Sequence, residues 1–171
     1  MPSIVFGLFG TVFFCQVLGF GFSIWAGGFT LACMVLPILI RTAEEGLRAV
    51  PDDYRRAAAS LGISRTTTLI KLQLPAALPA LTAGFVLGLA RAAAETAALL
   101  YTSGYVDRWP ESFSDSGRAL TVHIYKMAMD VSGGEEKAYG AALVLIVILM
   151  TTNFLANWLS RKLASRRIVY S

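Results

Sequence analysis

Residues 1–40 of this chain contain no Asp, Glu, Lys or Arg. A soluble domain carries charge on about a quarter of its residues, so a run of this length without any excludes an ordinary water-facing fold. One bilayer crossing needs about twenty apolar residues, and the run therefore supplies two crossings back to back. The rest of the chain agrees. Of 171 residues 56% are hydrophobic and only 15% charged, with a mean hydropathy of +0.61. A cleavable secretory signal is a poor reading, because no basic region precedes Ile4 and the apolar stretch far exceeds a signal's core. The chain reads as an all-α, polytopic integral membrane protein of one domain, without internal repeats.

Hydropathy places four spans at about 3–20, 25–40, 76–102 and 138–159. Trp25 is an interfacial residue type, and Pro37 is expected to bend the inner end of the second span. The 41–74 loop holds six basic residues (Arg41, Arg48, Arg55, Arg56, Arg65, Lys71) and the C-terminal tail four. The 104–136 segment holds three basic against six acidic residues. The positive-inside bias then makes the loop, the tail and, with four spans, the N-terminus cytoplasmic, and 104–136 periplasmic. A sequence pI near 9.3 does not signal nucleic acid, since the charges cluster at span ends.

The inner loop has helix punctuation. Thr42 to Glu45 has capping-box spacing, starting a short helix that Pro51 ends. Asp52 or Asp53 can cap a helix over 54–61, closed by Gly62 in a left-handed conformation. Ser64 can cap a further helical turn over 65–72, and Leu120 to Met129 can form a short interfacial helix.

Arg91 and Glu95 lie inside the third span at i, i+4, on one helical face. A charge at mid-bilayer costs about 2.5–3.5 kcal/mol on insertion scales, so the pair must face protein or water. Gly84, Gly88, Ala92 and Thr96 form a small-residue stripe on the same side, Arg91 falling about 20° from Gly84 on the wheel. Arg91 sits about 20 Å along the span from Ala77, past the midplane. Arg91, Glu95 and Thr96 are therefore candidates for an anion path, in which the guanidinium offers two hydrogen bonds to a phosphate and Glu95 holds it. The competing explanation is an internal ion pair that fixes packing.

Other residues invite plainer explanations. His123 fits a surface position, and Asn153 and Asn157 fit interhelical hydrogen bonding. Arg161, Lys162, Ser165, Arg166 and Arg167 fit lipid headgroups and topology. Cys15 and Cys33 read as packing residues in apolar helices. No metal-ligand set, catalytic constellation or nucleotide-binding P-loop is present in the sequence, so ATP would bind a separate subunit.

Ala57-Ala58-x3-Gly62, nine residues and Leu72-x-Leu74-Pro75 then give six fixed positions over nineteen residues. The spacing resembles the EAA loop of ABC importer permeases, where it implies that Arg56, Ala57, Ala58, Gly62, Leu72, Leu74 and Pro75 dock the ATPase. Further stretches, among them Leu36 to Glu45, Ala90 to Ala97 and Val122 to Tyr125, make the chain similar to the phosphate-transport permeases of the PstA family. The PstC type differs after the intramembrane Glu and around Thr42 to Glu45. The resemblance implies the MetI-like transmembrane fold and a bacterial inner-membrane location. It also implies a PstC-like sister permease, a PstB-like ATPase pair carrying ATP and Mg, and a periplasmic PstS-like phosphate-binding protein. Two departures stand out. The family pattern has Glu where this chain has Arg56, which bears on coupling strength. Its members carry six spans, of which this chain corresponds to the last four; a mis-assigned start, a split gene or a truncated paralogue each account for that. The expected function is phosphate-importer permease, the alternatives an importer of another oxyanion such as molybdate or sulfate, or a non-transporting membrane remnant acting as a scaffold.

Overall fold

The computed structural model describes residues 2–165, with the side chains of Asn157 and of residues 159–165 left out. The expectations for Asn157, Arg161, Lys162, Ser165, Arg166 and Arg167 therefore lie outside the described residues and side chains. Every regular element among the described residues is helical. They are α1 Ser3–Val17, α2 Ile24–Arg48, α3 Asp53–Ser60, α4 Arg65–Ala93, α5 Ala97–Thr102, α6 Leu120–Met129 and α7 Glu135–Ser165. A helix satisfies its own backbone polar groups, which is what a lipid surround requires.

Among the described residues, three helices are long and apolar enough to cross a membrane: α2, α4 and, within α7, Glu135–Ala156. The first expected span, 3–20, is a shorter helix ending at Val17. Its second half is π-helical, and its last bonds reach back five and six residues, from Leu18 N–H to Phe13 O and from Phe20 N–H to Phe14 O. A wider turn gains less length per residue, and the helix unwinds at Leu18 to Gly21.

The chain divides into two compact bodies, residues 1–36 with 89–151, and residues 37–88 with the stretch from Thr152. In the first body α1 packs on α5 through small residues and hydroxyls. A Cβ on Gly10 would meet Thr102 Cγ2 at 2.7 Å, so only glycine allows that approach. Thr11 Oγ1 donates to Tyr101 O across the contact (2.6 Å), and Thr30 and Thr102 each donate to the carbonyl four residues back, both at 2.7 Å. Phe14 stacks on Phe29 with ring centroids 5.6 Å apart. Small side chains and satisfied hydroxyls are the packing currency where lipid supplies no hydrophobic drive between helices. Cys15 is buried here and Cys33 exposed, both as free thiols.

In the second body two sequence expectations change. Thr42 caps nothing. Its hydroxyl donates to Ile38 O (3.0 Å) and Leu39 O (3.1 Å), and α2 runs unbroken to Arg48. Extending a helix already formed adds a bond per residue fixed, whereas starting another demands a new nucleus. The expected turn at 65–72 and the span from 76 are likewise one helix, α4, with Ser64 as N-cap accepting from Thr67 N–H (3.3 Å). A π-turn over Leu69–Gln73 precedes Pro75, and Leu74 N–H bonds to Leu69 O. Proline has no N–H and its ring clashes with the carbonyl four residues back, and the wider turn makes room for it. Gly84 is pressed against Thr42, whose Cβ would lie 2.7 Å from an added Cβ.

Candidate functional site

The body of residues 37–88 presents the docking candidates. Asp52 is the N-cap of α3 by backbone position but makes no side-chain cap bond. The other end is closed as the sequence predicts. Gly62 has φ +69°, its N–H bonds to Ala59 O (3.0 Å), and Ile63 N–H bonds to Ala58 O (2.9 Å). These are the two bonds of a Schellman motif, which needs a left-handed residue at this position. The motif turns Leu61 outward, 76% exposed, beside exposed Arg56 and Ala57, while Ala58 is buried. Of the remaining docking candidates, Leu74 is exposed and Leu72 and Pro75 are half-buried in α4. A cleft of about 520 Å³ lies here, lined by Arg55, Ala59, Ile63, Arg65, Leu69 and Gln73 among others. Arg55 pairs loosely with Asp52 (3.8 Å), whereas Arg56, Arg65 and Lys71 make no ion pair among the described residues.

The body of residues 1–36 and 89–151 holds the anion-path candidates. Arg91 Nη1 lies 2.7 Å from Glu95 Oε2, the pairing expected from their spacing. They do not share an uninterrupted helix, however. The expected span 76–102 is broken: α4 ends at Ala93, and α5 begins at Ala97 with Thr96 as its N-cap residue. Glu95 sits in the break. Its carboxylate, 3% exposed, also lies 3.5 Å from the N–H of Ala98, and its carbonyl accepts from Thr121 Oγ1 at 2.7 Å. Arg91 remains 44% exposed. Thr96 caps α5 by backbone position, without a side-chain cap bond.

Two contacts in this body were not legible from the sequence, one at Glu95 and one apart from it. Thr121 lies twenty-six residues from Glu95, and no periodicity links them. Arg118 makes the other. Its Nε donates to Tyr105 O (3.1 Å), and its Nη1 lies 3.3 Å from Asp107 Oδ1 and 3.2 Å from His123 Nδ1. His123, expected at the surface, is half-buried against it. Guanidinium only donates, so the hydrogen bond runs from Arg118 to Nδ1.

Residues 1–169 match the family of binding-protein-dependent transport system inner membrane components. Among similar proteins, a probable ABC transporter permease, YqgI of Bacillus subtilis, is 31% identical over 93% of this chain and 59% of its own length. Phosphate transport system permease PstA 1 of Mycobacterium tuberculosis is 35% identical over 98% of this chain and 54% of its own. The PstA 2 permease of Mycobacterium bovis is 38% identical over 95% and 56%. The chain thus spans rather more than half the length of these curated relatives. No solved structure matches it.

Proposed function

The chain belongs to the family of binding-protein-dependent transport system inner membrane components, and from that premise we propose that it forms part of the translocation path of an ATP-driven importer of inorganic phosphate. The relatives named as phosphate permeases cover nearly all of it. The observation that carries the proposal is the state of Arg91. One guanidinium nitrogen is tied to Glu95 at 2.7 Å, yet the side chain keeps 44% of its surface. Of its five N–H donors most are left for an oxyanion, in a fork that matches two phosphate oxygens. Glu95, buried and fixed in the helix break, orients the fork and balances its charge before the anion arrives.

Around this site the reading follows the family. ATP binding closes a partner PstB-like ATPase pair, residues 54–75 transmit the movement, and the spans alternate between outward and inward access. A PstC-like sister permease completes the path, and a PstS-like periplasmic protein delivers phosphate. ATP and Mg stay on the ATPase.

The test is labelled phosphate uptake per assembled complex, with assembly scored by co-purification of the ATPase. A charge-assisted hydrogen bond contributes about 1.5–3 kcal/mol, so Arg91→Gln should lower uptake about ten- to a hundredfold. Arg91→Lys should recover only part of it, because an ammonium is a point donor. Since Arg91→Gln leaves Glu95 buried and unpaired, Arg91→Gln with Glu95→Gln serves as the neutral control that assembles and fails to transport. Normal uptake by an assembled Arg91→Gln complex rejects the assignment. Sulfate or molybdate competing as well as phosphate would assign the path to another oxyanion.

A further inference from the structure

The 1–36/89–151 body also contains a cleft of about 810 Å³ that the transport reading does not use. One wall is a stripe of α2: Ile24, Gly28 and Leu31 recur at i, i+4, i+7 from its first residue. Leu99 of α5 and Leu120 of α6 continue the apolar lining. The charged groups come from the 104–123 segment. Arg118 is only 12% exposed on its side chain and is held by Tyr105 O, Asp107 and His123. Arg108 reaches the cleft with a long 3.8 Å contact to Asp115, and Trp109 beside it is 92% exposed.

We propose that this cleft binds one anionic phospholipid, its phosphate on Arg108 and Arg118 and an acyl chain along the Ile24–Gly28–Leu31 stripe. Three observations favour that occupant. The volume far exceeds what a bare tetrahedral anion fills and lies in the range of pockets that hold organic ligands. The long apolar wall would be wasted on a free ion, whereas a headgroup–chain ligand needs a cationic end and an apolar furrow together. The cleft also reaches Ile24 in the first turn of a span, where Trp109 supplies an indole of the kind that settles at headgroup depth. Asp107, 82% exposed, tempers the charge.

The chain, purified with its partner subunits, is placed in nanodiscs of phosphatidylglycerol mixed with phosphatidylcholine. Lipid retained after detergent transfer is then counted by native mass spectrometry. Wild type should keep one phosphatidylglycerol in preference to phosphatidylcholine. Arg108→Gln should lower that preference about fivefold, the worth of one basic residue at a charged lipid surface. Gly28→Leu should abolish retention: a Cβ at Gly28 meets nothing within 4 Å, so the leucine fills the furrow without disturbing the fold. Equal retention of the two lipids by wild type overturns the proposal, as does unchanged retention in both variants. Displacement of the lipid by excess inorganic phosphate also overturns it, since the cleft would then be reading a free anion.

Discussion

Each body holds a pair of arginines, and the two pairs are held differently. In residues 37–88, Arg56 and Arg65 stand at the surface without an ion pair among the described residues, around the outward Leu61. In the 89–151 part of the other body, Arg91 is tied to the buried Glu95, and Arg118 is held by Asp107, Tyr105 O and His123. An exposed cation contributes little to stability, roughly 0–1 kcal/mol even when paired, and is free to serve association. A cation held against a buried carboxylate is fixed in geometry, and removing its partner is costly. The first arrangement suits a surface that meets another protein, and that of Arg91 suits a site that meets a small anion.

The sharpest way to break this contrast is to ask whether the two regions face different compartments. In a background free of Cys15 and Cys33, an impermeant thiol reagent applied to intact cells should label Ser114→Cys and leave Ser64→Cys silent. Labelling at position 64, or silence at 114, would invert the topology. A large effect is next expected at Gly62. Leaving φ +69° to a residue with a Cβ costs about 1–2 kcal/mol, so Gly62→Ala should weaken transport modestly. Gly62→Leu has open space within its own chain, and its extra bulk meets only a partner. It should abolish uptake while the protein stays in the membrane; if the two variants behave alike in uptake, nothing docks there. The smallest effect is expected from Thr121→Val. It removes the 2.7 Å bond to Glu95 O, worth about 1 kcal/mol, and should lower the midpoint of thermal unfolding by about 2–4 °C. Uptake should fall only as far as Arg91 loses its orientation. An unchanged midpoint would mean that the break at Glu95 is held by Arg91 and Ala98 alone.

Much of this was written locally. The charge-free run determined a membrane protein, because no tertiary arrangement makes forty uncharged residues a solvated surface. Gly62 determined its turn, since a Schellman closure needs only neighbouring backbone and a residue tolerant of positive φ. The Arg91–Glu95 pairing followed from spacing alone. The tertiary structure decided where helices stop. Ala92-Ala93-Ala94 favours continuing the third span, yet α4 ends there, with Glu95 held through a threonine twenty-six residues away. Thr42 had the spelling of a cap and became mid-helix, because the helix entering it was already formed. Local propensities are worth tenths of a kcal/mol per residue, so a few distant hydrogen bonds and a buried carboxylate outweigh them.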